Sequence, residues 1–251
     1  MAIKKDINLS VVTFLGIKVE VLTKHEIVEK ILEFSLTGKG KFITYLNAHC
    51  INISFSDYEY RDILQKADLV YAGGQGIVWA TKFLGTPLPE RVNILDFFNI
   101  LSQKLIEKRV KIYLLGSYID VVKKAEEVLK SKGLNIIGSS SGFFDAIKEK
   151  EIIQEIKALK PDILIIGMGV PKQEKWVNRY SYDLNVNLCW AVGAAFEWLS
   201  GIKKRAPRWM IRYGFEWLHR LYQDPSRFWK RYLIGNPLFV YYVFKDKFKK
   251  I

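Results

Sequence analysis

The sequence predicts an α/β fold, a mostly parallel sheet flanked by helices, with a C-terminal helical appendage. Three observations carry this expectation. Over the first 200 residues, short apolar runs alternate with amphipathic, helix-like runs. Runs such as Ile163-Leu164-Ile165-Ile166 are continuously apolar, as strands covered on both faces are. Past Gly201 the alternation stops, and Trp209, Trp217 and Trp229 stand among arginines instead. The chain therefore divides into a core, 1–200, and a basic, Trp-rich helical appendage, 201–251.

The elements follow in order. Phe14 to Leu22 alternates and reads as a strand. Thr23-Lys24-His25-Glu26 has the form of a capping box, which opens a helix running to about Ser35 and ending before Gly38. Further strands are expected at Lys41–Leu46, Asp68–Tyr71, Val110–Leu115, Leu134–Ile137, Asp162–Ile166 and Asn187–Val192. Helices are expected over 95–108, 118–132 and 148–158.

Composition narrows the class. Hydrophobic residues make up 49% of the 251, too many for a disordered chain. The apolar run Pro237 to Phe244 is far short of the ~20 residues of a spanning helix. The charged start, Met1 to Asp6, has no signal-peptide character. Cys50 and Cys189 have no metal-ligand spacing and read as buried thiols of a reducing compartment. The net charge is +13 and is concentrated at the end: residues 203–251 carry thirteen Lys/Arg against Glu216, Asp224 and Asp246. Such a tail calls for an anionic partner.

Three strands end in glycine: Tyr71-Ala72-Gly73-Gly74, Leu115-Gly116-Ser117 and Ile166-Gly167-Met168-Gly169. Ligands of parallel sheets bind beyond these strand ends, where glycine lets a diphosphate approach the backbone. A single such turn is ordinarily just a tight turn; three in one sheet favour a nucleotide or nucleotide-sugar site. Lys172 replaces the third glycine of a dinucleotide fingerprint, which argues against a dehydrogenase. Pro171-Lys172-Gln173 starts a helix close to that site, or is a solvated helix start. Arg91, in the rigid Pro87–Arg91 loop, is a phosphate ligand or a surface ion pair with Asp96. There is no Asp-x-Asp pair and no His/Cys cluster, so no metal site is expected; Arg91 and the tail arginines are the available cations for a leaving diphosphate.

Together these motifs resemble the WecG/TagA/CpsF family of bacterial glycosyltransferases, from about Phe14 to Tyr232. The resemblance rests on Tyr45-Leu46-Asn47-Ala48-His49, Ala67–Tyr71 with its glycine turn, Leu84-Gly85 through Val92, and Tyr113–Gly116. It continues through Gly167–Glu174, Gly193–Glu197, Lys204–Met210 and Glu216-Trp217. It implies a Rossmann-like core and a metal-independent, inverting transfer of N-acetylmannosamine or a related hexose. The donor is a UDP-sugar, with no cofactor, and the acceptor an undecaprenyl-diphosphate-linked saccharide of teichoic acid, common antigen or exopolysaccharide synthesis. By matched position, Arg91 and Gln173 contact the donor diphosphate or sugar, and Glu197 lies near the uridine. Arg220, Arg227 and Arg231 reach the diphosphates. Asn47, Gly73, Gly74, Gly116 and Gly169 complete the binding site.

The sequence departs from the family pattern at two places. Gly73 stands where the family has the aspartate proposed as general base, and Tyr45 where a threonine is common. Either Asp96 or His49 takes the proton, or the leaving phosphate or water does, or the chain is a weakened homologue that binds UDP-sugar or lipid diphosphate. Read blandly, His49 is a packed or capping histidine and Asp96 a partner of Arg91. The tail reads as an anchor on an anionic membrane surface, placing the protein at the cytoplasmic face of the cell membrane. Rival readings are a single-stranded nucleic-acid patch and a helical pair with a solvated basic face. The expected partners are UDP-sugar, the lipid-linked acceptor and the membrane, with no nucleic acid; a homo-oligomer is compatible with the sequence.

Overall fold

A computed structural model of the protein describes residues 10–249. Met1–Asp6 and Lys250 lie outside them. The chain begins with an antiparallel hairpin, β1 (Val11–Phe14) and β2 (Ile17–Glu20), where the sequence predicts one strand from Phe14. The turn is two residues long, Leu15 at φ 50° and Gly16 at φ 81°, the geometry that matches strand twist. Leucine is an unusual residue for that position, so the turn leaves little trace in the sequence. Arg61 and Gln65 fasten it by donating to the Leu15 and Gly16 carbonyls, at 3.1 and 2.9 Å. The capping box forms as expected. The Thr23 hydroxyl accepts from the Glu26 amide at 3.3 Å, and the Glu26 carboxylate accepts from the Thr23 amide at 2.8 Å, opening α1 (Lys24–Thr37).

The main sheet has six parallel strands. They are β3 (Lys41–Leu46), β4 (Leu69–Ala72), β5 (Ile112–Gly116), β6 (Ile136–Ser140), β7 (Ile163–Gly167) and β8 (Leu188–Ala191), in the order β4-β3-β8-β7-β5-β6. Each falls within a few residues of its predicted place. The edge strand β6 extends past its apolar start because Ser139 and Ser140 bond to Glu126 and Tyr113. Strand side chains alternate between two cores. Ile43, Tyr71, Leu114, Ile165 and Trp190 pack under α1, α5 (Ile94–Glu107), α6 (Ile119–Ser131) and α9 (Ala195–Leu199). Phe42, Tyr113, Leu164, Ile166 and Cys189 face α3 (Tyr58–Lys66), α7 (Ala146–Leu159) and α8 (Lys172–Leu184). Both cysteines are free and buried.

β3 leads into α2 (Ala48–Ser56), on the face opposite the one α9 covers after β8. These two strands are neighbours, so their connections diverge and open a crevice at their carboxyl ends, the switch point where α/β sheets bind ligands.

Among the described residues the regular structure after β8 is all helical: α9, α10 (Arg208–Arg212), α11 (Glu216–Gln223), α12 (Pro225–Trp229), a π-helical turn (Lys230–Ile234) and α13 (Gly235–Lys249). α13 lies against α2 and α4 (Gln75–Leu84). Its Phe239 and Val243 are buried in one core with Phe14, Leu46 and Ile77, Tyr242 stacks on Phe55 at 3.9 Å, and Asn52 donates to the Gly235 carbonyl at 2.7 Å. No helix of the described residues is long and apolar enough to cross a membrane.

Candidate active site

A cavity of about 500 Å³ occupies the switch point. Its floor is Tyr45 and Asn47 at the end of β3, Gly73 and Gly74 after β4, and Val192 and Ala194 after β8. The turns close for local reasons. Asn47 caps α2, its side-chain oxygen accepting from the Cys50 amide at 3.0 Å. A Cβ on Gly74 would sit 2.8 Å from the Asn47 Cβ, so only glycine fits there. One wall is Arg91 and Asn93; the roof is Glu216, Trp217, Arg220, Arg227 and Arg231 of the appendage. A second cavity, of about 580 Å³, adjoins the first at Tyr45, His49, Arg227 and Arg231 and reaches Gly169 and Gly193.

Four arginines thus line the first cavity, and their partners differ. Arg91 bonds to Asp96 and Glu216, both at 2.9 Å. Arg220 bonds to Glu216 at 2.5 Å and lies over the Trp198 ring, 4.4 Å from its centre. Arg205 pairs with Asp96 at 2.5 Å, outside the cavity lining. Burial opposes ionisation of Glu216, but Arg220 and Arg91 outweigh it and hold the carboxyl below its usual range. Arg227 pairs with Glu197 at 2.6 Å, as does Lys203 at 2.7 Å. Arg231 stands apart. Among the described residues no carboxylate or hydrogen bond meets it, its Nε is buried without a partner, and its guanidinium lies 5.9 Å from the Phe228 ring and 5.6 Å from that of Tyr232. A guanidinium that lines a cavity without a carboxylate partner is a strong site for an anion.

Of the proton-bearing groups nearby, His49 and Tyr45 are neutral at pH 7. Burial first, and Arg231 second, push His49 down to about 4. Burial pushes the Tyr45 phenol above its ordinary range. Glu174, fully buried, is pushed up to about 7 by burial, against hydrogen bonds from Gln173 and Thr44 at 2.7 and 3.1 Å.

Of the residues read from the sequence, His49, Asn47, Gly73, Gly74, Arg91, Arg220, Arg227 and Arg231 line the first cavity, and Gly169 lines the second. The others lie elsewhere. Gln173 is fully buried: its side-chain oxygen accepts from the Gly193 amide at 3.0 Å and its nitrogen donates to Glu174, so it braces the β8 turn rather than meeting the cavity. Pro171 precedes α8 instead of standing in its first turn. Asp96 sits behind Arg91, its carboxylate taken up by Arg91 and Arg205. Glu197 is closed off by Arg227 and Lys203. Gly116 serves packing, since a Cβ there would lie 2.4 Å from the Gly167 backbone. The sequence reading named Glu216-Trp217 as part of the family resemblance but gave Glu216 no place in the site, and it missed the aromatic wall of α4 and α13.

A sheet switch point ringed by arginines suits phosphorylated ligands, and comparison with known proteins places the chain in a family. The sequence profile of the "Glycosyl transferase WecG/TagA/CpsF family" matches residues 12–251. The chain belongs to this family. Among its relatives is a protein of Staphylococcus aureus strain MW2, 29% identical over 99% of this chain and 98% of its own length. Another, from Bacillus spizizenii, is 30% identical over 84% of this chain and 81% of its own. Both are named N-acetylglucosaminyldiphosphoundecaprenol N-acetyl-beta-D-mannosaminyltransferase. The protein is accordingly a glycosyltransferase, of the hexosyltransferase class.

Proposed function

We propose that this transferase moves N-acetylmannosamine, or a related hexose, from a UDP-sugar to an undecaprenyl-diphosphate-linked saccharide ending in N-acetylglucosamine, in the assembly of a cell-surface polymer. The observation that carries the reading is the ring of arginines over the switch-point cavity, with Arg231 left unpaired; relatives that cover the chain end to end carry that activity in their names. An acceptor hydroxyl attacks the anomeric carbon, the bond from that carbon to the UDP oxygen breaks, and the configuration inverts. Guanidinium groups take up the charge that develops on UDP. The step is proposed to run without a divalent metal, with Arg91, Arg220, Arg227 and Arg231 as the cations that line the cavity.

The departing hydroxyl proton needs an acceptor that Gly73 does not supply. His49 lines the cavity unprotonated, whereas Asp96 is engaged by two arginines. The proton passes to His49, or, as carbon–oxygen cleavage advances, to the leaving phosphate. The exposed Trp229, Leu233, Ile234, Tyr241 and Phe248, set among Lys230, Lys245 and Lys247, rest on the anionic inner face of the cell membrane.

UDP release with UDP-N-acetylmannosamine and a soluble GlcNAc-diphosphoryl lipid, in EDTA, tests the mechanism. Turnover is expected. Activity lost in EDTA and restored by a divalent ion refutes the metal-free step. UDP binding without turnover of any UDP-hexose refutes transfer and leaves a binding protein, as Gly73 alone would suggest.

A further inference from the structure

The first cavity is lined by two kinds of side chain. Arg91, Arg220 and Arg231 are among its cations, while Trp79 and Phe83 of α4 and Phe239, Val240 and Phe244 of α13 form an apolar wall. The deeper part of this wall, Phe239, is buried, whereas Trp79, Phe83, Val240 and Phe244 are left exposed. The wall also continues outward. The Phe83 and Phe244 rings are 5.2 Å apart, and Phe244 stacks on the exposed Phe248 at 6.3 Å. Lys247 ties the two helices at this mouth, donating to the Phe83 carbonyl at 3.2 Å. A path lined with apolar side chains therefore runs from the arginines to the surface.

A nucleotide sugar has no hydrocarbon to place along such a path. An amphiphile with an anionic head and an apolar tail matches it end to end, cations against the head and aromatic rings along the tail. We propose that the groove between α4 and α13 binds the first isoprene units of the lipid carrier, whose diphosphate lies against Arg231 and Arg220. This rests on the lipid-diphosphate acceptor proposed above and adds that the protein itself, not only the membrane, grips the chain. Acceptor lipid would then contribute to recognition in free solution.

Binding can be measured apart from catalysis. The dissociation constants of farnesyl diphosphate and inorganic diphosphate are compared by calorimetry below the micellar concentration, with no vesicles. Burying one methylene is worth about fourfold in affinity, so farnesyl diphosphate is expected to bind at least tenfold tighter. In Val240→Trp, which fills the groove from an exposed position, the ratio of the two constants falls toward one; in Phe83→Ala it falls by severalfold. Equal binding of the two ligands by the wild type, or an unchanged ratio in Val240→Trp, overturns the proposal. UDP release with a lipid acceptor judges the transfer reading independently: a protein that binds farnesyl diphosphate tightly but transfers nothing keeps the groove and loses the reaction.

Discussion

Glu216 holds the arginine roof together, and Glu216→Gln measures how much. Its carboxylate is buried, meets Arg91 at 2.9 Å and Arg220 at 2.5 Å, and has Arg205 at 3.8 Å. Glutamine keeps the shape and one accepting oxygen but removes the charge. Asp96 can still serve Arg91 and Arg205, whereas Arg220 is left with the Trp198 face alone. Removing one member of a buried ion pair costs about 3–5 kcal/mol, and the retained hydrogen bond puts this case near 3. For a chain of this size each kcal/mol shifts Tm by roughly 2–4 °C, so a fall of about 6–12 °C is expected by differential scanning calorimetry. The folded carboxyl lies below its usual range, so its stabilisation is complete above the unfolded value near 4.5 and is lost as pH falls through the folded one. The gap between wild type and variant should be level from pH 6 to 8 and narrow only as the pH falls below the unfolded value near 4.5. UDP should also raise the Tm of the variant more than that of the wild type, because the freed guanidinium takes a phosphate in place of the carboxylate. A Tm within 2 °C of wild type, or the same response to UDP, would refute the reasoning.

Further outcomes follow from the surroundings of the site. Glu174 is pushed up to about 7, so the stability it lends is full below pH 4.5 and lost as pH rises through 7. Glu174→Gln should therefore raise the free energy of unfolding at pH 8, by on the order of 3 kcal/mol at most, and not at pH 4.5; Glu20, shifted the same way by burial, keeps part of the slope, and a variant less stable at pH 8 contradicts this. A Cβ at Gly73 would lie 3.1 Å from the Tyr45 Cβ and ring, so Gly73→Asp and Tyr45→Thr should be coupled by about 1 kcal/mol or more in a double-mutant cycle of stability; additive effects would show that the two positions do not compete for space. His49, held near 4, should show a flat imidazole NMR shift from pH 5.5 to 8, and a midpoint near 6.5 would remove the claim that it is buried and faces Arg231.

The fold was legible because burial on both faces writes strands as continuous apolar runs, and because Thr23 and Glu26 mark a helix start with their own chemistry. The hairpin turn was not, since Leu15 takes a left-handed conformation that sequence rules reserve for glycine or asparagine. At the site, glycines and arginines announced phosphate, but which arginine is free is a matter of tertiary pairing. Arg91 and Arg231 look equivalent in sequence; only the fold brings Glu216, 125 residues away, to the first and, among the described residues, no carboxylate to the second. Gln173 shows the converse error: a polar residue at a helix start reads as ligand-facing, yet the turn after β8 lies close enough to consume its amide. The apolar wall of α13 escaped notice because its residues are spread around a helix whose inner face is defined only once it lies on α2 and α4.

The central claim is that the arginine-roofed cavity transfers a hexose from UDP to a lipid diphosphate, with Arg231 meeting a phosphate. Its most direct test is disaccharide formation from UDP-N-acetylmannosamine and a synthetic GlcNAc-diphosphoryl lipid by the wild type and Arg231→Ala. The account predicts stoichiometric UDP and disaccharide from the wild type, and a kcat/KM lowered about 10- to 100-fold in the variant, the worth of a hydrogen bond to a charged group. Wild-type protein that binds UDP yet forms no disaccharide from any UDP-hexose, or an Arg231→Ala variant as active as wild type, would contradict it.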